Sequence, residues 1–217
     1  GFERNEELRR KYHNIGSEWS SASIGNQGDM LLIAQKHSLD TALLDEAWWG
    51  PTAINDDGSP SFLVYERSLP HTIIVDQEGN RYFNEAESYV DAGRAMLDQQ
   101  EKAEKAIPSW MIMESRHRNR YLFGSMMPRM VPKKLLNSGW LKRADSIEDL
   151  ANICGIDVEG LRATIDRFNT FVDNGKDEDY KRGDSAYDNY YGDPAYTNPN
   201  LGHIIKPPFY AMKVYPG

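Results

Sequence analysis

Cysteine is almost absent from this sequence: Cys154 stands alone among 217 residues. An intramolecular disulfide and any multi-cysteine metal site are therefore excluded, and the usage fits a reducing compartment. No apolar run reaches the ~18 residues that a membrane-spanning helix needs. Nor is there a G-x-G-x-x-G, a P-loop, a G-x-S-x-G or an H-E-x-x-H, so no dinucleotide-binding fold begins within this chain. The five histidines (His13, His37, His71, His117 and His203) are scattered without ligand spacing, and no metal site is expected. Asp177-Glu178-Asp179 lacks the alternating ligands and the glycine of a calcium loop, and reads as a solvated acidic loop. Positive charge is in deficit, 25 Lys and Arg against 33 Asp and Glu, for a net charge of −8. Such a surface repels phosphate backbones, so a nucleic-acid partner is not expected. The run Arg116-His117-Arg118-Asn119-Arg120-Tyr121, with Arg129, Lys133 and Lys134, is a local exception, but it reads as a solvated or interdomain face.

What is present is ordinary for a globular chain of one domain: 40% hydrophobic and 27% charged residues. Both ends, Gly1-Phe2 and Pro216-Gly217, read as those of a segment of a longer protein, the other reading being a short natural protein with frayed ends. The spacing predicts a helix over 6–14. A turn at Gly25–Asp29 leads into a buried helix from Met30 to about His37. Residues 43–55, with Leu43, Leu44, Trp48, Trp49 and Ile54, read as a buried apolar stretch. Strands are expected at Phe62–Tyr65, Thr72–Val75 and Arg81–Phe83, the last two joined as a hairpin.

Ser88 and Asp91 form a capping-box pattern for a helix running to about Ala106. Trp110–Met113 reads as a strand. Ser146 caps a helix from Ile147 to Cys154, and Asp157 caps one whose face carries Val158, Leu161, Ile165, Phe168 and Val172. Asn174-Gly175 closes that helix. Residues 176–200 read as a charged, tyrosine-rich loop, and Phe209–Val214 as a last strand. Helices and strands without regular alternation make the class α+β.

Three places could carry chemistry. The Gly25–Asp29 turn precedes a helix, where free N–H groups and the positive end of the dipole suit a polar or anionic cofactor, although a plain capped turn has the same spacing. Tyr89 falls at the first helical position after Ser88, where the dipole favours negative charge, so it is a place for a tyrosine base or simply for a packed tyrosine. Tyr187, Tyr190 and Tyr191 could line an apolar pocket with polar tips or merely pack within their loop.

Several runs, taken in order, resemble one family. Gly1–Asn5 resembles the end of the first flavin-domain segment in the fumarate reductase/succinate dehydrogenase flavoproteins, and Asp45-Glu46-Ala47-Trp48-Trp49-Gly50-Pro51-Thr52, Glu66–Pro70, Asn84-Glu85 with Tyr89, and Arg167-Phe168-Asn169 are similar to 3-oxosteroid 1-dehydrogenases, or 3-ketosteroid dehydrogenases. So are Arg182–Pro194, Asn198–Gly202 and Pro208–Ala211. These enzymes lie within the fumarate reductase/succinate dehydrogenase flavoprotein superfamily. The resemblance implies an FAD-dependent parent in which this chain is the substrate-binding, or capping, domain, with helices around a small antiparallel sheet and short flanks of the FAD domain. Most of the FAD contacts would then come from outside the chain, with Asn26, Gly28 and Asp29 approaching the flavin. The implied reaction is desaturation of a 3-ketosteroid, a tyrosine at the place of Tyr89 taking the C2 proton. An apolar cleft for a steroid-like molecule would be lined by Trp48, Trp49, Phe62, Tyr65, Tyr187, Tyr190 and Tyr191. The alternative is a binding module whose parent acts on another flat apolar ketone or enone, Tyr89 only lining its pocket. A cytoplasmic protein, or one peripheral to a membrane, is expected. The chain departs from the family in three places. Relatives often read N-T-G-D-G where this chain has Asn26–Met30, Leu-Pro where it has Glu87-Ser88, and Gly where it has His71.

Overall fold

Two apolar faces organise the computed structural model, which describes residues 1–217. The strands are β1 (Pro51–Ile54), β2 (Pro60–Phe62), β3 (Thr72–Val75), β4 (Ser109–Met113), β5 (Lys142–Ala144) and β6 (Phe209–Pro216). All pairings are antiparallel, in the order β2-β1-β6-β4-β3, and β5 also pairs with β6. The helices are α1 (Glu6–His13), α2 (Asp29–Lys36), α3 (Tyr89–Ala103), α4 (Ser115–Arg120), α5 (Lys133–Asn137), α6 (Ile147–Cys154), α7 (Val158–Asn174) and α8 (Ala186–Tyr190).

The sheet is covered on both sides, which is why β3 and β4 read as unbroken apolar runs rather than as alternation. Ile73, Val75, Trp110, Ile112 and Ala211 face Leu150 of α6 and Leu161, Ile165 and Phe168 of α7. Ile74, Met111, Met113 and Met212 face the opposite way, against Ala92 and Met96 of α3 and the segment containing Phe123, Met126 and Leu141. α6 and α7 form where local signals place them. Ser146 accepts from Asp149 N at 3.0 Å, Asp157 accepts from Gly160 N at 2.7 Å, and Gly155 and Gly175 end the two helices in the left-handed region.

Several expectations from the sequence are corrected, including the solvated readings of Asp177, His117 and Arg118, all of which are buried. The hairpin of 72–75 with 81–83 does not form: β3 pairs only with β4, and 81–83 is not a strand. Asp76 Oδ1 accepts from Glu78 N and Asn80 N, each at 2.9 Å, and the chain then turns Arg81 inward to an ion pair. The strand expected at Phe62–Tyr65 is instead β2 at Pro60–Phe62, ending where Leu63 N bonds Pro51 O. α2 lies where it is expected, but none of its residues is buried, and Met30 is 75% exposed. In the 43–55 stretch Trp49 is buried, whereas Leu43 and Trp48 stand in solvent, Trp48 at 85% exposure.

One buried group, His117, contributes to the acid response of the fold. His117 is fully buried, and its Nε2 lies 3.2 Å from the carbonyl of Glu66, an acceptor, so that nitrogen carries the proton. Burial pushes the imidazole down to about 3. The same ring in an unfolded chain titrates near ~6.5. Between those values the unfolded chain binds more protons, so stability falls as pH falls, by at most ~1.4 kcal/mol per pH unit from this group. Thermal melts between about pH 7 and about pH 4 should show a shallower acid decline in His117→Gln, and an identical slope in both proteins would contradict this.

Candidate functional site

Phe62, Trp48, Trp49 and Tyr187, but not Tyr65, gather around the start of α3. Ser88 Oγ accepts from Val90 N at 3.3 Å, capping the helix so that Tyr89 is its first residue. The bond reaches the second helical N–H, not that of Asp91, so the cap forms without the reciprocal capping box. Gly93, one turn on, lets α3 settle against the backbone of Trp49 and Gly50: a Cβ there would lie 2.5 Å from Gly50 N. That close approach brings Phe62 over Tyr89, their ring centroids 5.3 Å apart in an edge-to-face arrangement.

Phe62 also lines a cavity of about 220 Å³, together with Trp48, Trp49, Asn26 and Arg9. Three of the expected substrate-site residues and one of the expected cofactor-site residues therefore share one cavity beside the tyrosine. Two buried donors at its wall, Arg9 Nη2 and Trp49 Nε1, have no hydrogen-bond partner. Gly28 precedes α2 at φ 88°, and a Cβ there would meet Leu8 at 2.6 Å, so the turn requires glycine. Asp29 opens the helix and is exposed.

The late tyrosines arrive through Asp188. Its Oδ2 accepts from Asn84 Nδ2 at 2.9 Å and from Gly183 N at 2.8 Å, tying the 182–191 segment to the chain just before α3. Tyr187 is thereby held within electrostatic reach of Tyr89 and Asp91, and its phenol is raised, first by burial. Tyr191 packs edge-on against both Tyr187 and Tyr190, while Tyr190 itself is mostly exposed. The Tyr65 phenol is raised by burial and by the neighbouring Glu66, and its surroundings are Glu66 and Arg118. A larger cavity, of about 490 Å³, is lined by Ser61, Leu63, Phe123 and Trp140 and by neither Phe62 nor Tyr89.

The charged frame beneath the site was not legible in the sequence. Glu85, fully buried, accepts from Arg81 Nε at 2.8 Å, Arg182 Nη1 at 3.0 Å and Ile74 N at 3.1 Å. Arg81 also bonds Asp177 at 2.8 Å. Burial alone would raise the Glu85 carboxyl, but Arg81 and Arg182 outweigh it and hold the carboxyl below its ordinary value. Glu87 differs: burial, with Asp91 adding, pushes its carboxyl up to about 7. Below that pH it is neutral. The departure at His71 is accommodated too. Its backbone sits at φ 68°, where glycine is the unstrained residue, and the ring is held at 2.8 Å by both the His203 carbonyl and the Tyr196 hydroxyl.

The chain belongs to the FAD binding domain family, which matches residues 1–217. It is 42% identical over its whole length to a 3-oxosteroid 1-dehydrogenase of Mycobacterium tuberculosis, of which it covers 40%. It is 33% identical over 88% of its length to 4-oxocyclohexanecarboxylate 2-dehydrogenase of Sinomonas cyclohexanicum, covering 34% of that protein. A crystal structure of 3-ketosteroid delta1-dehydrogenase from Sterolibacterium denitrificans, in complex with 1,4-androstadiene-3,17-dione, superposes with a TM-score of 0.94 at 34% identity, over 99% of this chain and 40% of that one. The chain thus spans about 40% of the length of the steroid-dehydrogenase relatives it matches.

The family makes FAD the cofactor. The residues here fit one side of it: two unpaired buried donors, Arg9 Nη2 and Trp49 Nε1, border a cavity that Asn26 also lines. The chain carries no G-x-G-x-x-G fingerprint, the motif that cradles a pyrophosphate in dinucleotide-binding folds. Purified alone, these 217 residues should therefore be colourless. A yellow preparation with stoichiometric flavin would overturn that expectation.

Proposed function

We propose that this chain is the substrate-binding, or capping, domain of an FAD-dependent dehydrogenase that desaturates 3-ketosteroids between C1 and C2. The observation that carries this is the placement of Tyr89, at the N-terminus of the 15-residue α3 and against Phe62, beside the cavity shared by Trp48 and Trp49. The dipole of α3 favours negative charge at Tyr89, so its phenolate is suited to take the C2 proton. Bound FAD supplies the acceptor for the hydride leaving C1. Loss of that proton and hydride leaves the C1–C2 double bond.

Phe62 and Trp48 offer the apolar surface that a ring system with few polar atoms requires, backed by the buried Trp49, and Tyr187 borders the same helix start. Asn26, Gly28 and Asp29 are assigned to the flavin side. The exposed apolar residues Ile24, Met30, Leu43 and Trp48 are assigned to the face that meets the flavin-binding part of the protein. The protein that carries this chain, loaded with FAD, should convert 4-androstene-3,17-dione to a product with two hydrogens fewer and a C1–C2 double bond, identified by mass spectrometry and NMR. A product unsaturated elsewhere, or no conversion, would contradict the proposal.

A second reading has its own support. The 33% identity to a 4-oxocyclohexanecarboxylate dehydrogenase supports a parent that acts on another flat ketone. Preference for such a ketone over the steroid in kcat/KM would favour it.

A further inference from the structure

Arg67 is almost completely buried, yet it forms no ion pair, unlike Arg81 and Arg182. All of its donated bonds go to backbone carbonyls. Nε donates to Leu63 O at 3.1 Å, Nη2 donates to Glu87 O at 2.8 Å, and Nη1 donates to Glu85 O. Leu63 directly follows Phe62, whose ring packs on Tyr89. Glu85 and Glu87 lie in the short run that enters α3, Glu87 two residues before the tyrosine. One planar guanidinium therefore ties the wall that carries Phe62 to the segment that delivers Tyr89. The arginine is fixed in turn, because Arg182 Nη2 donates to its carbonyl at 3.2 Å.

We infer that Arg67 is the positioning residue for Tyr89, setting where the phenol stands relative to Phe62 and the substrate cleft. The inference rests on the reading of Tyr89 as the base. A buried cation is costly to desolvate, so a side chain that only filled space here would be better replaced by an apolar one. What the guanidinium supplies is a rigid fork with several donors in one plane, matched to carbonyls on two separate segments. Lysine, with a single ammonium, cannot span them. Misplacement of a reacting group by about 1 Å lowers rates by ~10²-fold.

The test uses the FAD-loaded whole protein and follows single-turnover reduction of the flavin by 4-androstene-3,17-dione, so that slow residual rates are still read. Arg67→Met and Arg67→Lys are each made with Tyr89 present and with Tyr89→Phe. With Tyr89 present, Arg67→Met should slow the limiting reduction rate by ~10–100-fold, and the steroid Kd read from the same traces should change by less than about threefold. In the Tyr89→Phe background the same change should slow the residual reaction by less than about threefold, because the group being positioned is gone. Arg67→Lys should lose about tenfold with Tyr89 present and carries the cycle if the methionine variant does not fold. Equal losses in both backgrounds, or a loss confined to the steroid Kd, would overturn the role of Arg67 while leaving Tyr89 as the base. If Tyr89→Phe alone keeps its rate within about threefold of the parent, the base assignment falls and this inference falls with it.

Discussion

Tyr89→Phe should lower steroid desaturation by the FAD-loaded protein by ~10²–10⁴-fold, the contribution of a positioned general base. The change removes one hydroxyl and little volume. Phe62 meets the ring of Tyr89 edge-on, and phenylalanine preserves that contact. The cap at Ser88 depends on a backbone N–H and is untouched. Melting temperature and flavin absorbance should therefore match those of the parent, and the loss should fall on kcat. A matching loss of flavin or of thermal stability would mean that the hydroxyl serves the structure instead.

The largest effect on stability is expected at Glu85. Glu85→Gln keeps the shape and removes the charge that faces Arg81 and Arg182, both buried. Two guanidinium groups would then share Asp177 as their only nearby carboxylate. Breaking a buried ion pair by removing one partner costs ~3–5 kcal/mol, because the remaining charge is left uncompensated in a poor solvent. For a chain of this size that is a fall of about 6–20 °C in melting temperature. The parent should lose the same contribution in acid. The folded Glu85 carboxyl lies below its ordinary value, so its stabilisation is complete at neutral pH and is lost as pH falls through the folded value. Thermal melts of both proteins at neutral pH decide the matter, and a variant within about 1 kcal/mol of the parent would show that the network is not a stabilising frame.

What could be read in advance was local. α6 and α7 were legible to the residue because Ser146, Asp157, Gly155 and Gly175 act on their own neighbours. β4 and β6 were legible because sheets covered on both faces leave unbroken apolar runs. β1 and β5 were missed, being four and three residues long with little pattern. The hairpin expected after Val75 failed because the chain there obeys a partner far away: Arg81 turns inward to Asp177, 96 residues on. The same holds for the site. Tyr89 could be placed at a helix start from Ser88 alone, but Arg67, Glu85 and Arg182 look like ordinary surface charges until the fold brings them together. Their partners lie up to 115 residues apart, and no local spacing records that. The one sequence signal available was the resemblance that contains Glu66-Arg67-Ser68 and Arg182-Gly183-Asp184.

Whether Tyr89 takes the C2 proton is decided by steady-state turnover of 4-androstene-3,17-dione, with an artificial electron acceptor, by the FAD-loaded parent and its Tyr89→Phe variant. Turnover should fall by at least about 100-fold while flavin content is unchanged. A variant within about threefold of the parent would contradict the claim and leave Tyr89 as a residue that only lines the pocket.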